Sequence, residues 1–384
     1  SRGLGDVYKR QIDIYQKDVY VPAGSSMEGT GLVLASVNGN GVFTAHDREG
    51  TLFYTHYDLA HQASATAGYA TDWYLDKIIT LDKPTTSVET VTAAGALNYH
   101  TWRNENDKLL KRMGELRHNG DDEKGAWFRV KGSKIGRDGQ FAFENKYTTY
   151  ELGYDELMKK TATMTRYQGS AISYTDGSSS YKSGSGDNSS KAISFYNTEL
   201  GNKGHYLDMV LKFSHMDNDF KVYDTANNKI TGSMENTGIA LSAEYGRKKV
   251  LNNGWYIEPQ AQLTFGRLRG TDYTTSNGIR VDQDGIDSFV GRIGFNIGKD
   301  INEKTNIYLK ANLMHEFGGG YNASMVDAGG TKARLDRDFD DTWFEYGLGA
   351  AVQTGKNNYF YVDVERSAGS DYKKDWQWNI GARW

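Results

Sequence analysis

Alternation of apolar and polar residues, repeated along the C-terminal two thirds of the chain, is the feature that most limits its fold. In the segment 205–216, Leu207 and Leu211 fall on one face of an extended chain, and Asp208 and Lys212 fall on the other. The period of two predicts twelve β-strands, each with one apolar face. The twelve segments are 125–136, 141–157, 161–175, 191–200, 205–216, 237–250, 255–268, 288–299, 305–317, 342–354, 358–367 and 376–384.

The connections between these segments alternate in length. An antiparallel meander does this when its two ends meet different surroundings, and outer-membrane barrels combine short turns at one end with long loops at the other. A soluble sandwich has no reason to sort its loops by length. We therefore predict an all-β fold, a 12-stranded antiparallel transmembrane β-barrel. Short turns are predicted at 158–160, 201–204, 251–254, 300–304 and 355–357, and long polar connections at 176–190, 217–236, 269–287 and 318–341.

Composition agrees with a barrel and removes several other classes. The 384 residues include no Cys, 3 Pro and 44 Gly, the net charge is −4, and no run of 18 apolar residues offers a membrane-spanning helix. Without Cys there is no disulfide scaffold, and without a basic surplus there is no footprint for nucleic acid. A mean hydropathy of −0.67 fits the average of an apolar outer face, a polar lumen and long loops. We expect no cofactor and no nucleic-acid partner.

Aromatic residues are abundant, with 26 Tyr, 15 Phe and 8 Trp. Several stand near predicted strand ends, where an amphipathic ring suits the lipid headgroup level. Ordinary β-propensity is the alternative explanation for any one of them. The candidates for such girdles are Trp127, Tyr154, Tyr174, Tyr206, Trp255, Tyr256, Tyr308, Trp343, Tyr359 and Tyr361.

Residues 93–117 change to helical character and are predicted to form a helix that threads the barrel. About 25 residues at about 1.5 Å each give a rod of roughly 37 Å, long enough to cross a membrane. The segment is too polar to face lipid, and glycines on the polar strand faces would let it approach the wall closely. Its cations are Arg103, Lys108, Lys111, Arg112 and Arg117. A solvated linker helix is the alternative.

Strand parity directs a set of acids into the same lumen. We expect them to pair with the cations of the helix, since a low dielectric strengthens such pairs. The candidate lumen acids are Glu151, Asp208, Glu244, Glu258, Glu345 and Asp363, with Glu365 in the same parity.

The N-terminal part is predicted to be separate from the barrel. Residues 1–11 lack the apolar core of a secretory signal and are interpreted as a non-native cloning or assembly scar. Residues 12–83 have the character of short strands with Gly-rich turns, and residues 84–92 of a polar linker. Strands are predicted at 31–37, 41–45, 50–57 and 73–81; a solenoid is suggested, although no fixed repeat is visible.

Several motifs resemble the translocator domain of monomeric (type Va) autotransporters, over about residues 90–384. The stretch before the first strand is similar to the family's junction of helix and barrel, and a segment further upstream resembles the last strand of a passenger stem, often called the autochaperone. These motifs are Leu110-Lys-Arg-Met-Gly-Glu-Leu-Arg117, Gly125-Ala-Trp-Phe-Arg-Val130, Glu151-Leu-Gly-Tyr-Asp155, Ile257-Glu-Pro259, the end from Asn379 to Trp384, and Asp72-Trp-Tyr-Leu75.

The resemblance implies a barrel in the cell outer membrane, plugged by the preceding helix, that transfers an N-terminal passenger to the cell surface. It implies a monomer and a passenger stem that is the end of a β-helix. The implied partners are the barrel assembly machinery, outer-membrane lipid and lipopolysaccharide, and the chain's own passenger segment. The implied barrel-assembly signal is Trp376, Trp378, Ile380 and Trp384.

Self-cleavage is disfavoured by one departure from the family. Some relatives cut themselves at an Asn-Asn pair in the pore helix, and this chain has Asp107-Lys108 at that place. The neighbouring Asn104 and Asn106 are not adjacent to each other, so they do not supply the pair.

Two further interpretations stay open on the sequence alone. An outer-membrane porin or adhesin barrel without a secretion role would have no helix in its lumen. A soluble all-β carbohydrate-binding protein would bury the apolar strand faces in a sandwich core. No H-E-x-x-H or G-x-S-x-G motif occurs, so we expect no enzyme in this chain and any catalysis in the passenger.

Overall fold

The computed structural model describes residues 24, 26–29, 31–106, 109, 124–355 and 358–384. Five strands come first: β1 Ser26–Glu28, β2 Val33–Val37, β3 Arg48–Glu49, β4 Phe53–Ala63 and β5 Thr71–Pro84. Helix α1 follows at Thr86–Asn104. The later elements are β6 Lys124–Arg137, β7 Phe143–Lys160, β8 Met164–Tyr181, β9 Gly184–Gly201, β10 His205–Tyr223, β11 Lys229–Arg247, β12 Lys249–Val250, a 3-10 turn at Asn252–Gly254, β13 Trp255–Leu268, β14 Thr271–Thr274, β15 Arg280–Gln283, β16 Ile286–Asn302, β17 Thr305–Glu316, β18 Gly320–Val326, β19 Lys332–Asp338, β20 Asp341–Gln353, β21 Tyr359–Ala368 and β22 Tyr372–Arg383.

Twelve strands close into one antiparallel barrel. Around the barrel their order is β6, β7, β8, β9, β10, β11, β13, β16, β17, β20, β21 and β22, and β22 pairs with β6. At this seam, Ala126 and Trp384 exchange two backbone hydrogen bonds, of 2.9 and 3.0 Å. A closed ring satisfies the backbone groups that a bilayer cannot solvate. The predicted 12-stranded antiparallel barrel is thus confirmed.

The outward faces of the barrel strands form an apolar belt. Phe213 on β10 is 41% exposed and Leu241 on β11 is 53% exposed, whereas the inward-facing Lys212 is 8% exposed. An apolar exterior around a polar interior is the pattern of a barrel that faces lipid. The sandwich interpretation is wrong, because it needs the apolar faces to be buried against each other.

Two of the long connections are strands rather than loops. The segments 176–190 and 217–236 lie mostly within the β8–β9 and β10–β11 hairpins, and β10 and β11 have 19 residues each. About 9–11 residues suffice to cross a bilayer, so these hairpins extend beyond it. Outside the lipid belt, the outward face is polar. The alternation that marks a strand in the sequence therefore stops although the strand continues.

The other two long connections form a small second sheet. Strands β14, β15, β18 and β19 pair in this order. The sheet lies against the β10–β11 hairpin, where Ser276 N donates to Thr231 O at 2.8 Å. We call this opening of the barrel the hairpin end and the opposite opening the short-turn end.

Helix α1 begins at Thr86, so the predicted linker 84–92 and helix start at 93 are wrong. Thr85 caps the helix by accepting a hydrogen bond from Val88 N at 3.3 Å. Thr has a low helix propensity, which made the stretch resemble a linker. In the barrel, the Thr90 and Thr92 hydroxyls bond carbonyls one turn back, at 2.7 and 2.9 Å.

At its other end, α1 stops at Asn104, and Glu105 N donates to Thr101 O and Trp102 O. The rest of the predicted helix, 107–108 and 110–117, lies outside the described residues. Within the part of the chain that the structure describes, no helix has the length and apolar character needed to span a bilayer.

An apolar core surrounds α1 at the hairpin end. From the helix, Val91 and Leu97 are 1% and 0% exposed, and side chains of the long hairpins and the small sheet enclose them. The sequence predicted a lumen lined by polar residues throughout. The structure differs at the hairpin end, where apolar side chains enclose α1. Its members from the surrounding strands and loops include Tyr181, Phe220, Val222, Ile230, Met234, Ile279, Val281, Tyr321, Met325 and Phe339.

Strands β1–β5 form a separate sheet, which we call the N-terminal sheet. β5 lies at its centre and pairs with β1, β2 and β4, each time antiparallel. The region is β-rich as predicted, although 41–45 is not a strand. The coils of a β-helix stack parallel strands, so the described sheet is not a β-helix coil.

Candidate functional site

Helix α1 occupies the hairpin-end part of the barrel lumen, and two glycines make room for its largest side chain. Trp102 is 2% exposed and lies against Gly238 of β11 and Gly266 of β13. A Cβ atom on these glycines would stand 2.4 and 2.6 Å from the indole, closer than real Cβ contacts. The close approach expected of lumen glycines thus takes place at Trp102.

The chain passes through the lumen from the hairpin end toward the short-turn end. In the first turns of α1, Glu89 lies 3.4 Å from Lys182 at the tip of the β8–β9 hairpin. Past the end of α1, Glu105 lies 3.0 Å from Lys131 in the middle of β6. β6 itself starts at Lys124, at the short-turn end. The N-terminal sheet and the start of the barrel therefore lie at opposite openings.

Arg103 is the predicted helix cation that lies within the described residues, and aromatic rings enclose it. Its Nη1 is 3.7 Å from Glu316 Oε2, an ion-pair distance longer than a hydrogen bond. Tyr99 donates its hydroxyl to the same oxygen at 2.6 Å. The guanidinium lies 4.4 and 4.8 Å from the ring centroids of Trp343 and Tyr372, a cation–π geometry. The other predicted helix cations, Lys108, Lys111, Arg112 and Arg117, fall outside the described residues.

The acid just past α1 has a cation on the barrel wall. Lys131 Nζ lies 3.0 Å from Glu105 Oε1, and Lys212 Nζ donates to the Glu105 backbone carbonyl at 3.0 Å. The exposed fractions are 0% for Lys131 and 6% for Glu105. The barrel wall therefore contacts the threaded chain through an acid, Glu316, and through a cation, Lys131, whereas only wall acids facing helix cations were predicted.

All six candidate lumen acids lie in the lumen, each at most 5% exposed. Their ion-pair partners are barrel cations: Glu151 with Arg129 at 3.0 Å, Glu244 with Arg292 at 3.1 Å, Glu345 with Lys374 at 2.9 Å, and Asp363 with Lys310 at 2.6 Å. Asp208 accepts from Thr198 Oγ1 at 2.7 Å and Glu258 from Gln260 Nε2 at 2.8 Å. Glu365 joins the network, 2.7 Å from Lys374 and 2.9 Å from Lys310.

Glu244 is the candidate acid for which a contact with the threaded chain is seen, as it accepts from Leu109 N at 2.9 Å. For Arg103, the expected pairing with these acids is wrong. For Lys108, Lys111, Arg112 and Arg117, it stays a prediction. Arg103 has Glu316 instead, and neighbouring strands already supply cations to Glu151, Glu244, Glu345 and Asp363. Those cations have the same strand parity as the acids, so the sequence contained the signal that would have found them. They are Arg129, Arg292, Lys310 and Lys374. The same parity holds for Lys131 and Lys212, which contact Glu105.

Seven of the ten aromatic residues expected in lipid-facing girdles point into the lumen instead. These seven are at most 8% exposed, whereas Tyr154, Tyr174 and Trp255 face outward at 44–46%. Five of the inward rings lie against the glycine directly opposite on the next strand, where a Cβ would stand 2.1–2.5 Å away. The pairs are Trp127 with Gly153, Tyr206 with Gly246, Tyr256 with Gly298, Tyr308 with Gly349 and Tyr361 with Gly381.

The predicted barrel-assembly segment lies on the outer surface of the seam between β22 and β6. The register shifts between Lys374 and Trp376, after which Ile380 and Trp384 face outward at 51% and 53% exposure. Trp378 lies across Gly132 of β6, on the same face. The outward face of β22 therefore presents exposed apolar side chains. Their use as an assembly signal stays a prediction.

One cluster of possible metal ligands lies outside the lumen. His215, Asp217 and Glu235 place one ligand atom each within 4.8 Å of one another. His215 and Asp217 form an ion pair at 3.5 Å, with both side chains over 40% exposed. Ligands of a structural or catalytic metal are normally oriented by further hydrogen bonds. The cluster has the character of surface charge on the outward face of β10 and β11.

Comparison with known sequences agrees with this geometry. Residues 126–365 match the family model of the autotransporter beta-domain. The pertactin autotransporter of Bordetella parapertussis is 33% identical over 290 residues, which are 74% of this chain and 31% of that protein. The serine protease EspP of Escherichia coli is 28% identical over 287 residues, 73% of this chain and 21% of that protein. The chain therefore spans less than a third of the length of these curated relatives.

Solved structures show the same fold. The beta domain of the Bordetella autotransporter BrkA aligns with a TM-score of 0.56 and 25% identity, covering 68% of this chain and 99% of that one. The translocator domain of NalP from Neisseria meningitidis aligns with a TM-score of 0.59 and 15% identity, covering 78% of this chain and 99% of that one.

Proposed function

The chain belongs to the autotransporter family and its barrel is an outer-membrane translocator domain, and from this premise we propose that α1 is the last segment of an exported passenger, retained in the pore through which it passed. The N-terminal sheet is then the passenger's end at the cell surface. The observation behind this proposal is the route of the described chain. It enters the lumen from the N-terminal sheet at the hairpin end and reaches Glu105 beside the middle of β6, while β6 starts at the opposite opening.

Strand number explains why the lumen must be threaded. In a barrel with an even number of strands, the first strand starts and the last strand ends at the same opening. Lys124 and Arg383 both lie at the short-turn end, where short periplasmic turns are typical. A segment before β6 can reach the hairpin end only by passing through the barrel.

The lumen contacts favour a translocator over a porin. Diffusion through a porin needs an open channel, whereas here the apolar core around Val91 and Leu97 closes the hairpin end. Deeper in the lumen, the Arg103–Glu316 and Glu105–Lys131 pairs hold the chain by polar contacts. A wall lined with paired charges and amides can exchange hydrogen bonds with many sequences, which suits a pore that polypeptides traverse.

Several finer features belong to the same proposal. The partners are outer-membrane lipid and lipopolysaccharide, the barrel assembly machinery and the chain's own passenger, with the machinery reading Trp376, Trp378, Ile380 and Trp384. Residues 12–83 are the passenger stem. The translocator acts as a monomer without a cofactor, and any catalysis belongs to the passenger. The support is the outward apolar edge at the seam and the closed ring of twelve strands.

Sidedness can be tested with single cysteines, since the chain has none of its own. Ala63→Cys lies exposed on the N-terminal sheet, and Lys203→Cys lies exposed in the short β9–β10 turn. In intact cells expressing each variant behind an export leader, a membrane-impermeant thiol reagent should label Ala63→Cys and leave Lys203→Cys unlabelled. In opened membranes, both should react.

The matched pair makes the outcome unambiguous. Different gel mobility before and after heating shows that each variant contains a folded barrel. Labelling of Lys203→Cys alone in intact cells would contradict the proposal, because it would place the short-turn end outside. Protection of both positions in folded barrels would also contradict it, since the N-terminal sheet would then have stayed in the periplasm.

A further inference from the structure

One turn of the N-terminal sheet touches both α1 and the barrel. It connects β3 to β4, is closed by a hydrogen bond from Gly50 N to Phe53 O at 3.0 Å, and is called the docking turn below. The Glu49 carboxylate accepts from Thr86 N, at the start of α1, at 2.5 Å and from Thr225 N, in the β10–β11 turn, at 2.8 Å. A single side chain thus joins three separate parts of the chain.

Both N–H donors are fixed by their own segments. Thr86 N belongs to the first turn of α1, where backbone N–H groups have no partner within the helix. In the β10–β11 turn, Asp224 Oδ1 accepts from Ala226 N at 3.0 Å and from Asn228 N at 2.7 Å. These bonds hold the turn in the shape that directs Thr225 N–H outward. Glu49 therefore meets a prearranged pair of donors.

The docking turn also has an apolar contact with the pore. Leu52 at its tip is 2% exposed and belongs to the same apolar core as Val88 and Val91 of α1. Next to it, Thr85 Oγ1 donates to Thr51 O at 2.9 Å. The N-terminal sheet is therefore seated on the outer mouth of the barrel by a buried leucine and three hydrogen bonds.

We propose that Glu49 and Leu52 hold the N-terminal sheet in one fixed orientation on the hairpin end, and that protonation of Glu49 releases it. The N-terminal sheet is then a docked cap and not a freely swinging tether. The inference rests on the proposed function in one respect: only if this sheet is the end of the passenger does docking set the direction in which the passenger leaves the cell surface.

The hydrogen bonds to the Glu49 carboxylate favour release of the N-terminal sheet by acid. Burial alone would raise the pKa of Glu49, but the N–H groups of Thr225 and Thr86 outweigh burial and hold the pKa below its ordinary 4.5. A carboxylate with a lowered folded-state pKa stabilises the docked state above pH 4.5, and this contribution is lost as pH falls through the lower value. The titratable groups around it are Tyr54, whose pKa is raised by burial and by the charges of Glu49, Glu89 and Asp224, then Lys83, 4.2 Å from the Tyr54 ring centroid, Lys182, 3.4 Å from Glu89, and Arg48, the preceding residue of β3.

The experiment measures the distance between the cap and the barrel in the full chain. Spin labels are placed on Gln62→Cys in β4 and Lys229→Cys in β11, both exposed, and the distance distribution is recorded by pulsed electron resonance in outer-membrane vesicles. Docking predicts one narrow peak at neutral pH. That peak should be lost in Glu49→Gln, because an amide presents an NH₂ group to one of the two N–H donors. Leu52→Ala should also lose it.

The control and the acid arm make the test specific. Glu28→Gln changes an exposed glutamate of β1 and should keep the narrow peak. The parent should lose the peak between pH 7 and about pH 3, and regain it on return. A narrow peak in Glu49→Gln at neutral pH would overturn the proposal. If that variant lost the narrow peak only on acidification, the proposal would also fail, because release would then be assigned to Asp224 or Glu89. The thiol labelling described above depends only on which side of the membrane each residue lies. It can therefore support the proposed function even if the distance measurement contradicts docking.

Discussion

Glycines of the barrel wall decide where aromatic rings can be placed. Tyr308 lies against Gly349 on the next strand, and any side chain at that glycine would occupy the position of the ring. Such pairs fill the lumen near the short-turn end with rings while keeping the strands in register. Part of the abundance of both Tyr and Gly in the sequence has a common cause in this packing.

Gly349→Val should weaken the barrel, because its Cβ would stand 2.4 Å from the Tyr308 ring, which is 8% exposed and would have to move. Overpacking of this kind costs about 1–3 kcal/mol. We expect a lower temperature for the heat-induced change in gel mobility. Gly320→Ala is the matched control, since a Cβ there meets no atom within 4 Å. Equal shifts in the two variants would contradict the packing argument.

His56 makes the stability of the N-terminal sheet depend on pH. Its Nδ1 lies 2.6 Å from Asp47 and its Nε2 lies 3.1 Å from Asp58. The hydrogen bond to Asp47, together with the charge of both acids, raises the pKa of His56 above 6.5. A raised folded-state pKa means that the stabilisation is complete below pH 6.5 and is lost as pH rises through the higher value.

Protease resistance of the N-terminal sheet should therefore fall as pH is raised from about 6 to about 8. His56→Gln should remove this dependence, and His46→Gln, at an exposed histidine nearby, should keep it. The measurement is the rate of cleavage within residues 31–84, followed on intact vesicles. An unchanged pH dependence in His56→Gln would assign the effect to another group.

At the scale of one element, α1 shows why its boundaries were hard to predict. The Thr residues in its first turns lower helix propensity in water, and the helix is stabilised by its burial in the barrel, where Thr90 and Thr92 bond carbonyls one turn back. Parity predicted correctly which strand residues face inward. It could not show that Glu316 rather than Glu151 meets Arg103, because pairing across a lumen depends on strand stagger.

Val91→Asp should loosen the outer part of α1. The side chain is 1% exposed within the apolar core, and an uncompensated buried charge costs about 3–5 kcal/mol. The twelve-stranded ring does not depend on this contact, so we expect a folded barrel with increased ion conductance in planar bilayers. Val42→Asp, at a position 76% exposed on the N-terminal side, is the control and should conduct as the parent does. A folded Val91→Asp barrel without increased conductance would mean that the contacts further along the lumen, at Arg103 and Glu105, are enough to close the pore.

At the scale of the whole molecule, the sequence was most informative where the protein meets lipid. The belt needs an apolar residue at every second position, so strand number, parity and closure could be predicted. Beyond the belt the outward face is free to be polar. The parts of β8–β11 at the hairpin end, which extend past the belt, were therefore predicted to be loops. Aromatic residues were misplaced because a ring suits a lipid interface and a glycine-lined lumen equally. Strand parity separates the two, since Tyr206, Tyr256, Trp343 and Tyr361 each stand two residues before a lumen acid and so share its inward face.

The barrel should fold without the segment that fills it. Every strand pairing of the closed ring lies within residues 124–384, and α1 contributes none of them. A chain shortened to these residues should keep its heat-modifiable mobility, since the wall ion pairs such as Lys310–Asp363 are intact without the helix. It should also conduct ions, because the apolar core loses its central helix and water can enter the lumen. Conductance equal to that of the full chain would contradict a plug formed by α1, and loss of heat-modifiable mobility would show that the helix is part of the barrel's own stability.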